Sequence, residues 1–161
     1  RLFNEVGIIN QLASAILQSR LPKGVLVSHF TVLNHLVRVR DGATPLELAD
    51  AFQVPKTTMT HTLSGLRQQG WIEERPNPRD ARSNQVWLTP SGRAFRNEVI
   101  SSVSPDIAGI EQALPGLADA ALPHLTRLRE YLDASRDPKH ATPRVPSAGD
   151  RSDGAYRLWE P

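Results

Sequence analysis

The sequence predicts a mainly helical fold with one small β-hairpin, an α+β arrangement. Apolar residues recur at helical spacing through most of residues 2–134, whereas two short segments, 71–75 and 85–89, have the composition and alternation of strands. The 161 residues include no cysteine, which excludes a disulfide framework, a thiol redox switch and a cysteine-ligated zinc site. No apolar run reaches the ~20 residues that span a bilayer, and no signal peptide is recognised, so a cytoplasmic protein without membrane association is expected.

Residues 2–19 are predicted to form a helix whose apolar side chains cover a wide arc. These side chains are Leu2, Phe3, Val6, Ile8, Ile9, Leu12, Ala13, Ile16 and Leu17. An arc this broad indicates burial on two sides, as in a helix shared between subunits. The break at 21–24 is followed by a second helix at about 28–40, which ends in cations and the glycine stop Asp41-Gly42.

The clearest helix start is Thr44-Pro45-Leu46-Glu47. The threonine is an N-cap, the proline suits the first helical position, and the glutamate three residues after the cap completes a capping box. The helix at 45–52 is followed by a short turn and a third helix at about 55–69, with Gly70 as its stop. Two short helices joined by a turn of three or four residues form a helix-turn-helix pattern.

Beyond Gly70 the pattern predicts a hairpin, which we call the wing and place at 72–89. Its two strands flank a polar, turn-rich loop at 76–84 that carries two arginines.

The C-terminal part of the chain is predicted to be helical and then irregular. Thr89-Pro90 starts a helix at about 90–103, which Ser104-Pro105 is expected to interrupt or kink and which 107–114 could continue, and a last helix is predicted at about 118–134. Residues 136–161 are rich in proline and charge, so we expect a tail without a core of its own, although its end at 156–159 could dock on the body or on a partner.

Positive charge is concentrated in the middle of the chain. The formal net charge is only +2, but residues 53–97 contain seven cations and three anions, a local charge of +4. The cations are Lys56, Arg67, Arg75, Arg79, Arg82, Arg93 and Arg96. A basic block within a near-neutral chain is typical of a nucleic-acid site.

The third helix, which we call the reading helix, has an apolar and a polar face. Met59, Leu63 and Leu66 are predicted to pack on the two preceding helices. The opposite face carries small or hydrogen-bonding side chains, namely Thr57, Thr60, His61, Ser64 and Gln68, with Lys56 alongside. Such a face fits a DNA major groove; the alternative is an ordinary solvated helix face.

The basic hairpin directly downstream favours the DNA interpretation. Arg79 and Arg82 at its tip are well placed to reach a minor groove or flanking phosphates, the alternative for each being a solvated loop charge. Asp80 can satisfy loop amides or pair with Arg82. A helix-turn-helix followed at once by a basic hairpin is much rarer than either part alone.

These segments resemble the MarR family of bacterial regulators. In the helix-turn-helix the matching residues are Leu48-Ala49, 54–61, Leu66 and Gly70, and in the wing they are Asp80-Ala81-Arg82-Ser83, Leu88-Thr89 and Gly92. The Asp-x-Arg motif of the wing is the most specific of them. The resemblance covers about 28–100; residues 2–20 and 104–134 match only in helical layout, and 136–161 have no counterpart.

The resemblance implies a winged helix-turn-helix DNA-binding domain at 28–103 and dimerisation helices in 1–27 and 104–135. A homodimer would bind a pseudo-palindromic operator in double-stranded DNA as a transcriptional regulator, expected to be a repressor, that a small, often aromatic, effector releases. The implied positions on the reading helix are Lys56, Thr57, Thr58, Thr60 and His61. Arg82 would enter the minor groove and Asp80 would organise the wing, while Ser64 and Arg79 complete the predicted DNA contacts.

Two residues depart from the family pattern. Pro55 stands where a serine cap is common, and it cannot supply a side-chain oxygen. Gly65 lies inside the reading helix, where glycine costs ~1 kcal/mol relative to alanine. We therefore expect a base preference different from that of better-known relatives.

Other function classes have less support in the sequence. The five histidines show no tight metal spacing, and neither a nucleophile elbow nor a phosphate-binding glycine loop is present, so no enzymatic activity, cofactor or metal site is predicted. His29 and His35 would border the family's effector cleft and are candidate ligand contacts, with packing histidines as the alternative. A winged helix used for protein–protein contact and a metal-sensing regulator with histidine and carboxylate ligands stay open.

Overall fold

The computed structural model describes residues 1–136, which form six helices and one two-stranded sheet. The elements are α1 (Leu2–Arg20), α2 (Val27–Arg38), α3 (Pro45–Phe52), α4 (Lys56–Gln68), β1 (Ile72–Pro76), β2 (Asn84–Leu88), α5 (Pro90–Ala113) and α6 (Leu117–Arg136). The predicted mainly helical α+β fold is confirmed, with each strand displaced from its predicted position by one residue. The tail predicted at 136–161 lies outside the described residues, apart from Arg136 at the end of α6.

The helix-turn-helix is formed by α3 and α4. The predicted capping box is present, because the backbone N–H of Glu47 donates to Oγ1 of Thr44 (3.2 Å) and that of Thr44 donates to Oε2 of Glu47 (2.7 Å). The chain then turns through three residues, in which Gln53 adopts a left-handed conformation with φ 54° and Pro55 occupies the N-cap of α4. This tight turn fixes α4, the reading helix, against the helix before it.

One hydrophobic core joins α2, α3, α4 and the hairpin. Its buried members are Val32, Leu33, Leu36, Ala43, Leu48, Ala49, Met59, Leu63, Leu66, Ile72 and Val86. The predicted inward face of α4 is thereby confirmed. A second cluster joins the turn after α1 to α2 and α5 through Leu21, Val25, Phe30, Val99 and Ile100.

The base of the hairpin is attached to the segment between α2 and α3. The strands are antiparallel, with Ile72 opposite Leu88 at the base and Pro76 opposite Asn84 near the tip. Ala43 forms a bridge to Val86, whose backbone N–H donates to the carbonyl oxygen of Ala43 (2.9 Å). The position of the wing is therefore set by the same core that holds the reading helix.

Helix α5 corrects one prediction. Ser104-Pro105 was expected to interrupt or kink this helix, with 107–114 as its continuation. Helix α5 runs from Pro90 to Ala113 without a break, so an interruption is wrong and the continuation is confirmed. Proline lacks the N–H that would bond the carbonyl of Ser101. Because Ser101 is exposed, water can hydrate that carbonyl and the helix continues. Pro123 likewise lies inside α6, and Asp119, whose carbonyl it leaves without a hydrogen bond, is also exposed.

The described chain divides into two compact units, Arg1–Val103 and a second unit beginning at Ser104. In the first unit, no residue of α1 is buried, and Leu12 in its apolar arc is 61% exposed. In the second unit, α6 likewise exposes apolar side chains, including Leu125 and Tyr131. Among the helices of residues 1–136, none is long and apolar enough to cross a membrane.

Candidate nucleic-acid interface

The outer face of the reading helix presents a row of polar side chains. Thr57, Thr58, Thr60 and His61 are exposed and Ser64 is half-buried, because the opposite side of α4 is held in the core. The hydroxyl of Thr60 donates to the carbonyl of Lys56 (2.8 Å), which leaves its oxygen free to accept a hydrogen bond. The row can therefore offer both donors and acceptors to a ligand with mixed hydrogen-bonding edges.

The first turn of the reading helix has no side-chain cap within residues 1–136. Pro55 at the N-cap makes no side-chain hydrogen bond, as its lack of a side-chain oxygen requires. Lys56, Thr57 and Thr58 follow and are exposed. The first N–H groups of a helix lack intrahelical partners and lie at the positive end of its dipole, where they bind phosphate oxygens well. Because Pro55 supplies no side-chain cap, these N–H groups remain available to an external hydrogen-bond acceptor.

Gly65 is explained by a close approach between α2 and α4. His29 on α2 is 7% exposed, and a Cβ atom on Gly65 would lie 2.6 Å from its Nε2. The backbone N–H of Leu26 donates to Nδ1 of the same ring (3.1 Å), which fixes the ring orientation and requires an unprotonated Nδ1. Burial lowers the pKa of His29 below its ordinary value, and the charge on His61 lowers it further.

His35, the second candidate ligand contact, is half-buried one and a half turns further along α2. Its ring packs at a tilt against Phe52, with 5.2 Å between centroids. Burial lowers the pKa of His35 as well. Both histidines therefore have packing contacts of their own.

The tip of the wing is organised by side-chain hydrogen bonds to its own backbone. The N–H of Arg82 donates to Oδ1 of Asp80 and the N–H of Arg79 donates to Oδ1 of Asn77, both at 3.0 Å. Asn77 also reaches across the loop, where its Nδ2 donates to Oγ of Ser83 (2.9 Å). This role of Asn77 was not predicted from the sequence, although asparagine before proline in a loop is a recognised turn former.

The two side chains of the Asp-x-Arg motif lie close together in space. Nε of Arg82 is 3.6 Å from Oδ1 of Asp80, and the Arg82 side chain is 95% exposed. The carboxylate therefore holds the loop backbone while the guanidinium extends into solvent. An ion pair this exposed contributes little to stability, which leaves Arg82 available to an external partner.

Ion pairs and burial account for part of the local positive charge. Arg67 pairs with Glu74 and Arg75 pairs with Glu73, whereas Arg96 is buried beneath the surface. Of the six exposed cations in 53–97, Lys56, Arg79 and Arg93 have no ion-pair partner among residues 1–136. The charge that is free to attract an anion is thus carried by few side chains, among them Lys56 on the reading helix and Arg79 on the wing.

A groove of about 430 Å³ brings the reading helix and the wing together. Lys56 at the start of α4, Arg82 in the wing and Thr44 at the start of α3 all line it. The start of the reading helix and the wing tip therefore face the same side of this unit. Within residues 1–136, no group of three or more histidine and carboxylate side chains is arranged to hold a metal ion.

Comparison with known proteins identifies the family of this chain. Residues 23–83 match the model of the MarR family. The multiple antibiotic resistance protein MarR of Salmonella typhimurium is 36% identical over 102 residues, which cover 58% of this chain and 70% of that protein. The chain belongs to the MarR family.

Solved structures of MarR proteins share the fold. Apo MarR from Escherichia coli superposes with a TM-score of 0.68 at 28% identity, covering 82% of this chain and 97% of that one. A cysteine-to-serine mutant of MarR from E. coli, solved in complex with operator DNA, gives a TM-score of 0.63 at 26% identity, covering 81% and 92%. This MarR-family chain is accordingly a transcriptional regulator of the winged helix-turn-helix type.

The family match also encloses the candidate interface. All the predicted DNA contacts lie within the matched residues 23–83. The individual contacts, Lys56, Thr57, Thr58, Thr60, His61, Ser64, Arg79, Asp80 and Arg82, stay predictions. The structure exposes all of them except Ser64, which is half-buried.

Proposed function

We propose that this MarR-family regulator binds double-stranded DNA with α4 in the major groove and the wing tip in the neighbouring minor groove. The observation that carries the proposal is the shared groove lined by Lys56 and Arg82, because one ligand surface can then meet both elements. The polar row of α4 supplies hydrogen bonds to base edges, and the uncapped first turn with Lys56 supplies contacts to phosphate.

We propose that the functional unit is a homodimer. Helix α1 carries a wide apolar arc that the described chain leaves uncovered, with Leu12 61% exposed. Exposed apolar surface of this kind marks a protein–protein interface. A two-fold dimer would present two reading helices, which must lie ~34 Å apart to enter successive major grooves of a pseudo-palindromic site.

The sign of regulation and its control follow from family membership and stay predictions. Repression is the expected sign, and a reporter gene behind the chain's own promoter would test it. Release by a small effector is expected to act on the separation of the two reading helices. His29 and His35 remain the candidate ligand contacts.

The decisive test is the salt dependence of DNA affinity. We expect a steep fall in affinity for the chain's own promoter DNA as salt rises, since each neutralised phosphate adds about 0.9 to the logarithmic slope. Arg82→Ala should reduce that slope by about one phosphate equivalent. Lys23→Ala, which removes a cation from the exposed turn after α1, should leave the slope unchanged.

The rival function classes predict different results in the same experiment. A winged helix used for protein–protein contact would bind promoter DNA weakly, with no dependence on Arg82. A metal-sensing regulator would change its DNA affinity when a chelator is added. A flat slope for the native chain would contradict the proposal.

A further inference from the structure

Arg96 on α5 is a buried cation whose partners are neutral. The residue is 5% exposed. Its Nε and Nη2 donate to Oδ1 of Asn34 on α2 (3.0 and 2.9 Å), and its Nη1 donates to Oδ1 of Asn97 (3.0 Å). No carboxylate of residues 1–136 lies within ion-pair distance of it. Buried charges in proteins are normally paired with an opposite charge, so an uncompensated guanidinium here requires an explanation.

The neighbouring helices place further positive charge beside Arg96. Phe30 packs with Val99 and Ile100, and Asn34 contacts Arg96, so α2 and α5 run antiparallel. Arg38 lies one turn beyond Asn34 on α2, and Arg93 lies one turn before Arg96 on α5. Both guanidinium groups are therefore at the same end of this contact.

The electrostatics agree with this placement. Burial and then repulsion from Arg38 and Arg93 lower the pKa of Arg96. Burial and both repulsions thus disfavour the charged form of Arg96. An anion placed at this junction would oppose both repulsive contributions at Arg96.

We propose that Arg96 and Arg93 form a binding site for a small oxyanion, the carboxylate or phosphate group of a small molecule, at the junction of α2 and α5. Guanidinium groups bind these oxyanions through paired, charge-assisted hydrogen bonds. Amide oxygens occupy three of the five N–H groups of Arg96, which leaves two for a ligand, and the exposed side chain of Arg93 gives access from solvent.

The site is separate from the proposed DNA interface. Neither of its two arginines lines the groove shared by Lys56 and Arg82. Its occupation would neutralise charge between α2 and α5, and the resulting gain in stability can be measured without DNA. A negative result would therefore leave the proposed function untouched.

The first experiment is thermal unfolding of the full chain in rising inorganic phosphate, with chloride keeping the ionic strength constant. A ligand that binds only the folded state raises the Tm with its concentration, so we expect a saturable rise. Acetate in place of phosphate tests whether a single carboxylate is sufficient. Saturation by either anion supports the site, and a response to neither would overturn it.

Variants of Arg93 test whether the response comes from this cluster. Arg93→Gln should weaken phosphate binding by about tenfold, the effect of one charge-assisted hydrogen bond. Arg93→Glu supplies a built-in carboxylate, so the variant should unfold at the same or a higher Tm without phosphate and lose the response to it. Lys23→Glu makes the same charge change in the exposed turn after α1 and should keep the response.

A direct readout guards against general salt effects. The Nε–H of Arg96 is held by Asn34, so its ¹⁵N resonance should be visible and should shift as phosphate binds. An Arg96 resonance that does not move, or a response equally lost in Lys23→Glu, would overturn the proposal. So would Arg93→Glu weakening DNA binding while phosphate leaves the native Tm unchanged, because the cluster would then be a DNA contact.

Discussion

The imidazole of His29 occupies the space where a side chain at Gly65 would begin. A Cβ atom at position 65 would lie 2.6 Å from Nε2 of His29, whose ring is held from the other side by the N–H of Leu26. Gly65→Ala should therefore lower the free energy of unfolding by ~1–3 kcal/mol through overpacking, even though alanine favours helix by ~1 kcal/mol. Chemical denaturation measures the difference.

A double mutant isolates that contact. In a His29→Ala background the same Gly65→Ala change should become neutral or stabilising, because the obstructing ring is gone. Gly109→Ala is the matched control, since Gly109 is also inside a helix but has nothing within 4 Å of a built Cβ. Equal effects of Gly65→Ala in both backgrounds would show that the His29 contact is unimportant.

Acid should destabilise the folded chain through its buried histidines. Burial lowers the pKa of His29 and of His35 in the folded state. Their contribution to stability is therefore complete above the ordinary histidine value of about 6.5 and is lost as the pH falls below it, because the unfolded chain takes up protons first. Urea unfolding between pH 7.5 and pH 5 should show the midpoint falling.

The histidine origin of this effect can be checked by substitution. His29→Gln removes the titration, so the midpoint should depend less steeply on pH than in the native chain. His124→Gln replaces an exposed histidine on α6 and should leave the slope as it was. A midpoint that stays constant down to pH 5 in the native chain would contradict the assignment.

Local sequence patterns predicted the helix-turn-helix well because their causes are local. The capping box at Thr44 and Glu47 involves residues three apart, and the buried row of Met59, Leu63 and Leu66 follows from helical periodicity. Gly65 could not be understood in the same way, since its cause is a ring 36 residues earlier in the chain. The electrostatic state of Arg96 likewise depends on Asn34 and Arg38 across a helix contact.

The error at Pro105 has a different origin. The sequence rule is that proline removes a backbone hydrogen bond and ends a helix. Whether the loss matters depends on the surroundings of the abandoned carbonyl, and Ser101 is exposed. Whether that carbonyl is buried cannot be read from helical periodicity alone.

Substitutions of Asp80 should separate its charge from its hydrogen bond. Asp80→Asn keeps an oxygen that can accept from the N–H of Arg82, so DNA affinity should be retained or improved. Asp80→Ala loses the acceptor, and affinity should fall about fivefold, because such a hydrogen bond contributes ~1 kcal/mol. DNA titrations followed by fluorescence anisotropy would reveal this order, and equal losses in both variants would contradict the organising role.

A charge on the apolar arc of α1 should disrupt the proposed dimer. Leu12→Glu places a carboxylate within that arc, whereas Gln11→Glu places one on the opposite, polar face of the same helix. Analytical ultracentrifugation should find the first variant largely monomeric and the second dimeric. If Leu12→Glu remains dimeric, the dimer interface does not include this face of α1.

The hydrogen-bonded wing tip has a thermodynamic consequence for binding. A flexible loop that becomes ordered on its target loses conformational entropy, ~1–2 kcal/mol for each backbone residue that is fixed. In this wing the amides of Arg79 and Arg82 are already bonded to Asn77 and Asp80, so that ordering occurs when the chain folds. Only the exposed arginine side chains would still lose rotamer freedom at the DNA surface. Calorimetry should therefore find that this loop adds little to the unfavourable entropy of DNA binding.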